Sequence, residues 1–286
     1  MHLGLLYSRI RLDEKLILTE LRNRDHTVTP IDVRRLQFDL EEPPEEFDGI
    51  DLAFNRVMES SRVRYVAQFV EHYDIPVANA PRTARICADK VRGSLALTES
   101  GVPTPKTEIS FDMESALQSI ERFGYLCVLK PVTGSWGRLM ARIDTPAAAE
   151  AILEHKTVLG SYEHKVFYIQ EFVEKPGRDI RVLSADGEPI AAMARSSDHW
   201  ITNVARGGQT EEFEVDDTVL DLVERASDAV GGGLLGVDLM ETPSGFTVHE
   251  VNSTVEWKGL NQAVPSVDVP ARIVDWLEER ATAVRR

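Results

Sequence analysis

The chain has 286 residues, 43% of them apolar, and a formal net charge of -15. That length buries a sizeable core, in two or three lobes or in one continuous fold, and so acidic a composition argues against a nucleic-acid partner, which needs a basic face for the phosphate backbone. No apolar run approaches the ~18 residues of a membrane span, and the first ten residues are too short and wrongly flanked for a signal peptide, so a cytoplasmic protein is expected.

Residues 2–7 read as a strand, and Leu12, Leu16, Ile17 and Leu21 recur with helical spacing. Strands are expected over residues 27–33 and 50–55, separated by an acidic, proline-containing loop at 41–48. Val63, Val66 and Val70 form a second helical stripe, and residues 75–78 a fourth strand. Strands alternating with helices predict a small parallel sheet, and this N-terminal lobe ends near Asp89. A helix over 90–100 is stopped by Gly101 with Pro103 and Pro105 beyond it. A strand near Thr107, a helix over 113–123, strands over 125–130 and 138–143 and a helix over 147–156 make a compact mixed lobe.

The rest reads as strands over 165–173, 179–185 and 189–195, a helix over 217–230 ended by three glycines, a hairpin, and a final helix over 271–283. Cys87 and Cys127 have no partner at metal-ligand spacing and read as small buried hydrophobes. Arginine outnumbers lysine, and an acidic, lysine-poor surface would suit a high-salt cytoplasm.

The hairpin organises the chain. Thr242-Pro-Ser-Gly245 supplies the turn residues, with alternating apolar residues on both sides. Asp238 lies on the first strand, Glu250 and Asn252 on the second, and a period of two puts the last two on one face. Two carboxylates and an amide oxygen suit a hard divalent cation such as Mg2+, which keeps waters and phosphate oxygens at its other positions. The same residues would also suit a solvated hairpin.

Earlier stretches supply what a phosphoryl-transfer site needs. Lys130 ends an apolar strand just before Gly134-Ser135-Trp136-Gly137, a loop whose amides can turn toward phosphate oxygens; alone it could be an ordinary turn. Gln170-Glu171-Phe172-Val173 could offer backbone groups to a purine with Phe172 or Val173 against its ring, or be a plain core strand. Asp179 follows within reach of a ribose hydroxyl. Arg195, Asn203 and Arg206 stand in or beside a polar segment that ends in glycine, and arginines there can neutralise a transferring phosphoryl group.

This ordered set, with Lys90 at its head, resembles the ATP-grasp ligases over essentially the whole chain. Within them it is similar to the branch holding the ribosomal-protein glutamate ligase RimK and the carrier-protein ligases LysX and ArgX. The resemblance implies an α/β protein with a Rossmann-like pre-ATP-grasp lobe at 1–89 and an ATP-grasp domain at 90–286, divided into lobes at 90–164 and 165–286. It also implies ATP and magnesium chemistry in which two ions, or manganese in their place, are held by Asp238, Glu250 and Asn252. Lys90 and Lys130 would contact phosphate, 134–137 would form a lid, Gln170 to Val173 and Asp179 would hold adenosine, and Arg195 and Asn203 would lie on the phosphate side. Arg195, Arg206 and Lys258 are the expected catalytic groups, and a homo-oligomer is expected.

The implied reaction activates a carboxylate as an acyl phosphate, which an amine attacks to give an amide, so no serine or cysteine nucleophile is needed. Asn252-Ser-Thr-Val-Glu-Trp-Lys258 resembles the corresponding LysX and ArgX segment more than that of RimK. In that branch the activated carboxylate is the C-terminal glutamate side chain of the small acidic carrier LysW, and the amine belongs to a free amino acid. The pair after the lysine, Gly259-Leu260, resembles the Gly-Phe of glutamate-using ArgX more than the Asn-Thr or Asn-Ala of aminoadipate-using LysX. L-glutamate is therefore the expected substrate. L-2-aminoadipate, both amino acids, or a RimK-like addition of glutamate elsewhere are the alternatives, and a non-catalytic nucleotide-binding module is the reading from another class.

Overall fold

A computed structural model describes residues 1–134, 138–160, 165–202 and 208–284. The N-terminal lobe is a parallel sheet of β1 (His2–Tyr7), β2 (Thr27–Asp32), β3 (Leu52–Asn55) and β4 (Val77–Ala78), in the order β2-β1-β3-β4. The two helical stripes of this lobe form α1 (Leu12–Asn23) and α2 (Ser60–His72). Ile17 and Leu21 are buried in α1, whereas Leu12, at its first position, is exposed. Val63, Val66 and Val70 of α2 pack with Leu6, Ile31 and Phe47 on one side of the sheet. A short helix, α3 (Pro81–Cys87), was not anticipated, although it begins with the proline that a first helical turn favours.

The next lobe is an antiparallel sheet of β5 (Thr107–Ser110), β6 (Cys127–Lys130), β7 (Ala141–Ile143) and β8 (Phe167–Glu171), ordered β5-β8-β6-β7. Its core lies between this sheet and the helices α5 (Met113–Arg122) and α6 (Pro146–Leu159). The helix preceding it, α4 (Lys90–Glu99), packs elsewhere. Leu97 and the following Val102 join the cluster formed by α7 (Asp217–Val230) and the largest sheet.

That sheet is antiparallel and contains β9 (Arg178–Ala185), β10 (Glu188–Ser196), β11 (Gln209–Glu212), β12 (Leu234–Thr242) and β13 (Gly245–Asn252), ordered β11-β10-β9-β12-β13. Alternation decides what each face does. Ile180, Val182, Leu235, Val237 and Leu239 bury against α7, while the alternate residues Asp179, Arg181 and Asp238 line a cavity. A third cluster joins the ends of the chain: Leu3, Leu5 and Phe54 meet Trp257, Leu260 and the apolar face of α9 (Val269–Val284). The six-residue helix α8 (Lys258–Ala263) lies between β13 and α9 and was not anticipated. Among the described residues, no helix is long and apolar enough to cross a membrane.

Candidate active site

A cavity of about 470 Å³ collects residues from the two antiparallel sheets and from the N-terminal lobe. Lys90 comes from α4, Lys130 from β6, Gln170 from β8, Asp179 and Arg181 from β9, Met193 and Arg195 from β10, Asp238 from β12, and His249, Glu250 and Asn252 from β13. Met58 and Val63 of the N-terminal lobe close part of its wall.

The hairpin reaches this arrangement through a bulge. Val248 pairs with Leu239 and Glu250 with Asp238, leaving His249 as an extra residue on β13. Strict alternation would put Val248 and Glu250 on the same face. The bulge instead lets Val248 and Val251 both bury against α7 while His249, Glu250 and Asn252 all reach the cavity. Glu250 and Asp238 thus become direct cross-strand neighbours.

Asp179, Asp238 and Glu250 each meet cations. Arg181 grips Asp238 with two donors, Nε on Oδ1 and Nη2 on Oδ2, the latter at 2.7 Å. Arg195 Nη2 reaches Asp238 Oδ1 at 2.9 Å, and its Nε donates to Asp179 Oδ1 at 2.5 Å. Lys90 Nζ donates to Glu250 Oε1 at 2.8 Å and to the Gly134 carbonyl at 3.0 Å, tying β13 to the loop after β6. Burial alone would raise the Glu250 carboxyl, but Lys90, with Lys130 and Arg181 beyond it, holds it below the usual carboxylate range.

Lys130 stands apart, because no carboxylate among the described residues touches it. Its ammonium donates to Gln170 Oε1 and lies 3.3 Å from His249 Nε2. Gln170 is fixed in turn by donating to Thr107 Oγ1 at 2.9 Å and to the Tyr168 hydroxyl at 3.0 Å. Burial drives the Lys130 pKa down to about 7, and Lys90 and Lys175 push in the same direction. Burial and the same cations pull His249 well below its ordinary value, so it stands as a neutral ring.

The carboxylate of Asp179 is occupied differently from its expected role at a ribose. Arg195 takes Oδ1, and Thr202 and Lys175 both donate to Oδ2, the lysine at 3.3 Å. In this arrangement Asp179 orients Arg195. At the end of β8, the N–H groups of Glu171 and Phe172 already donate to the carbonyls of Lys106 and Leu126, and the Glu171 carboxylate accepts from Lys106 N at 2.7 Å. Phe172 sits 6.2 Å from the Trp200 ring, with the Arg142 guanidinium 4.7 Å away, so the apolar side of this segment is an aromatic wall. Glu171, Phe172 and Val173 all line the cavity.

At the other end, Lys258 and Gly259 line the cavity, whereas Leu260 does not. Leu260 is 0% exposed and belongs to the core with Trp257 and Val264. The expectation that both residues of the pair read the substrate is thus corrected: α8 turns successive residues about a helix axis, so Gly259 faces the cavity and Leu260 the core. A Cβ added to Gly259 would meet Met193 Cε at 3.6 Å, an ordinary contact. Ser135, Trp136, Gly137, Asn203 and Arg206 lie outside the described residues.

Sequence reasoning missed Arg181, Lys175, His249 and Met193. Arg181 was accessible to it, standing two residues after Asp179 and therefore on the same face of the strand. Lys175 and Met193 carry no local signal, and His249 reaches the cavity only through the bulge.

Asp238, Glu250 and Asn252 converge from adjacent strands as hard oxygen donors, and Asn252 Nδ2 lies 3.4 Å from Asp238 Oδ2. With only two carboxylates the set fits a cation that draws its remaining ligands from phosphate and water. Among the described residues, no group of three or more His, Cys, Asp or Glu side chains is placed to hold a metal alone.

Comparison with known proteins agrees with this geometry. The family model of the LysX preATP-grasp domain matches residues 3–86, and that of the RimK-like ATP-grasp domain matches residues 87–277. The chain is 31% identical to the alpha-aminoadipate–LysW ligase LysX of Sulfurisphaera tokodaii, over 98% of this chain and 100% of the relative. It is 29% identical to the glutamate–LysW ligase ArgX of the same organism, over 98% of this chain and 99% of the relative. Among solved structures, a RimK domain ATP-grasp protein of Sphaerobacter thermophilus superposes with a TM-score of 0.82 at 26% identity, covering 96% of this chain and 99% of that one.

Proposed function

The chain belongs to the RimK-like ATP-grasp ligases, and on that premise we propose that it joins the amino group of L-glutamate to the C-terminal glutamate side chain of a LysW-type acidic carrier protein. An ATP-grasp ligase forms its bond at the expense of ATP, and the wet end of this cavity is built for a polyphosphate. Lys90, Lys130, Arg181 and Arg195 are four cations converging on one space. The observation that carries the reading is that Lys258 and Gly259 open onto that same space, so a group held beside them lies in the cavity that holds Asp238 and Glu250.

ATP phosphorylates the carrier carboxylate: the carboxylate oxygen forms a bond to the γ-phosphorus and the bond to the ADP oxygen breaks. The glutamate amine then attacks the acyl carbon, the C–N bond forms, the C–O bond to phosphate breaks, and a proton leaves the nitrogen. Arg181 and Arg195 line the same cavity and are held there by carboxylates, partners they can trade in part for the oxygens of the transferring phosphoryl group. Asp238, Glu250 and Asn252 would hold magnesium, which supplies charge neutralisation of the phosphate oxygens. Enclosure by three lobes keeps water from the acyl phosphate. Lys258 is placed to meet the acidic group of the incoming amino acid.

Aminoadipate is one methylene longer, and the 31% identity to LysX favours it as a second reading. The preference for glutamate rests on Gly259, since Leu260 is in the core. The deciding experiment supplies purified protein with ATP, magnesium and the carrier, and compares glutamate with aminoadipate. Formation of ADP and faster turnover of glutamate are expected. Release of AMP would overturn the acyl-phosphate route, and faster use of aminoadipate would overturn the choice of substrate.

A further inference from the structure

Between the N-terminal lobe and the cavity lies a second group of buried charges that phosphoryl transfer does not use. Arg56, just past β3, is 1% exposed. Its Nη2 donates to the Val255 carbonyl at 2.7 Å, its Nε donates to Glu14 Oε1 at 3.2 Å, and its guanidinium carbon lies 4.2 Å from the Trp257 ring centroid. Asp13 Oδ2 accepts the Trp257 N–H at 3.1 Å, and Arg11 Nη1 donates to Glu256 Oε1 at 2.6 Å. Three successive residues, Val255, Glu256 and Trp257, are thus each tied to the N-terminal lobe. The next two are Lys258 and Gly259, which line the cavity.

The anchor is itself rigid. Arg56 N donates to the Leu6 carbonyl at 2.8 Å, so its backbone continues the parallel sheet, and Glu14 is clamped a second time by Arg11 Nη2 at 2.6 Å. An arginine suits this position because its planar fork satisfies a carboxylate and a carbonyl together while its face lies over an indole. The segment it holds has no strand or helix of its own between Asn252 and Lys258.

We infer that Arg56, together with Asp13 and Glu14, is a positioning group for the acceptor end of the cavity: the N-terminal lobe sets where Lys258 and Gly259 stand, and so governs the fit of the incoming amino acid. ATP is bound by groups from other elements and is left unaffected. The inference rests on the reading that an amino acid is received beside Lys258 and Gly259. An anchor that merely glued the lobes together would affect stability without distinguishing amino acid from ATP.

The test uses Arg56→Lys, which keeps the charge but cannot reach both oxygens while lying flat on Trp257. The KM for the amino acid should rise on the order of tenfold, within the roughly hundredfold that misplacing a positioned group by about 1 Å can cost. The KM for ATP should not change. Hydroxylamine trapping of the carrier's acyl phosphate, run without amino acid, should keep its wild-type rate. Hydrogen exchange over residues 253–260, measured without any substrate, should become faster. Arg11→Gln, which releases Glu256 and the second clamp on Glu14 but leaves the contacts of Arg56 to Val255 and Trp257 in place, should raise the same KM by less, and it decides the matter if Arg56→Lys does not fold.

An unchanged amino-acid KM in the folded variants, unchanged exchange, or equal rises in both KM values would overturn the inference. Absence of hydroxamate and of amino-acid use in the wild type would instead sink the proposed function, and this inference with it.

Discussion

The molecule holds two sets of buried ion pairs that look alike on paper and differ in one physical respect. Around Asp238 and Glu250 the charged groups face an open cavity, and Lys130 there has no carboxylate in contact among the described residues. Around Glu14 and Arg56 the charges are sealed beneath Trp257, with the Arg56 guanidinium held by Glu14, the Val255 carbonyl and the indole face. A sealed pair can only hold parts together, because taking it apart leaves a charge with no solvent to replace its partner. An open pair can exchange partners when a polyanion arrives. The same residue types therefore serve chemistry in one place and geometry in the other.

The comparison breaks first at the open cluster. Asp238→Ala or Glu250→Ala should lower ligation by about a thousandfold or more while the folded content, read by circular dichroism, stays near wild type, because each removes an oxygen donor at a cavity wall. Normal turnover at ordinary magnesium would show that this is the wrong cluster. The sealed set should respond in the opposite sense. Arg56→Met should cost about 2 kcal/mol of stability, seen as a lower denaturant midpoint, since it leaves the buried Val255 carbonyl without its donor and takes one of the two arginine partners of Glu14. An unaltered midpoint would mean that the pairs are not worth more than their desolvation.

Gly259→Asn sharpens the boundary between the two regions. It should shift the ratio of kcat/KM for glutamate over aminoadipate downward by ~10–200-fold, the range that one methylene of pocket space can read. Leu260→Thr should leave that ratio alone and lose stability instead, because the residue is core. A ratio unchanged in Gly259→Asn would remove the main support for glutamate.

The smallest effect concerns protons. With Lys130 near pH 7 before ATP binds, a polyphosphate beside it raises its pKa, so binding takes up a proton above that pH. ATP affinity should accordingly be flat below about pH 7 and weaken above it, by at most about tenfold per pH unit. Calorimetry at pH 8 in two buffers of different ionisation heat should detect the uptake, and Lys130→Met should abolish it. Equal heats in both buffers for the wild type would show that Lys130 is already fully charged.

Periodicity and punctuation carried most of the elements. The helix expected over 217–230 is found with those bounds, since Asp216 caps its start and Gly231 adopts the left-handed conformation at its end. The family was legible because its polar residues recur in a fixed order along the chain, and Lys90, Lys130, Gln170, Asp179, Arg195, Asp238, Glu250 and Asn252 do line one cavity. Short elements without strong patterns, α3 and α8, escaped.

What local sequence determines here is the identity of the strands and helices and the list of groups able to bind phosphate, because both follow from spacing along the chain. What only the tertiary structure decides is which of those groups is free to act. Asp179 is paired with Arg195, Lys175 and Thr202, Leu260 turns into the core, and His249 enters the site through a bulge. Arg56 reaches Val255 across 199 positions of chain. Charge pairing and burial depend on distances between elements far apart in sequence, and those distances come into being only when the sheets pack.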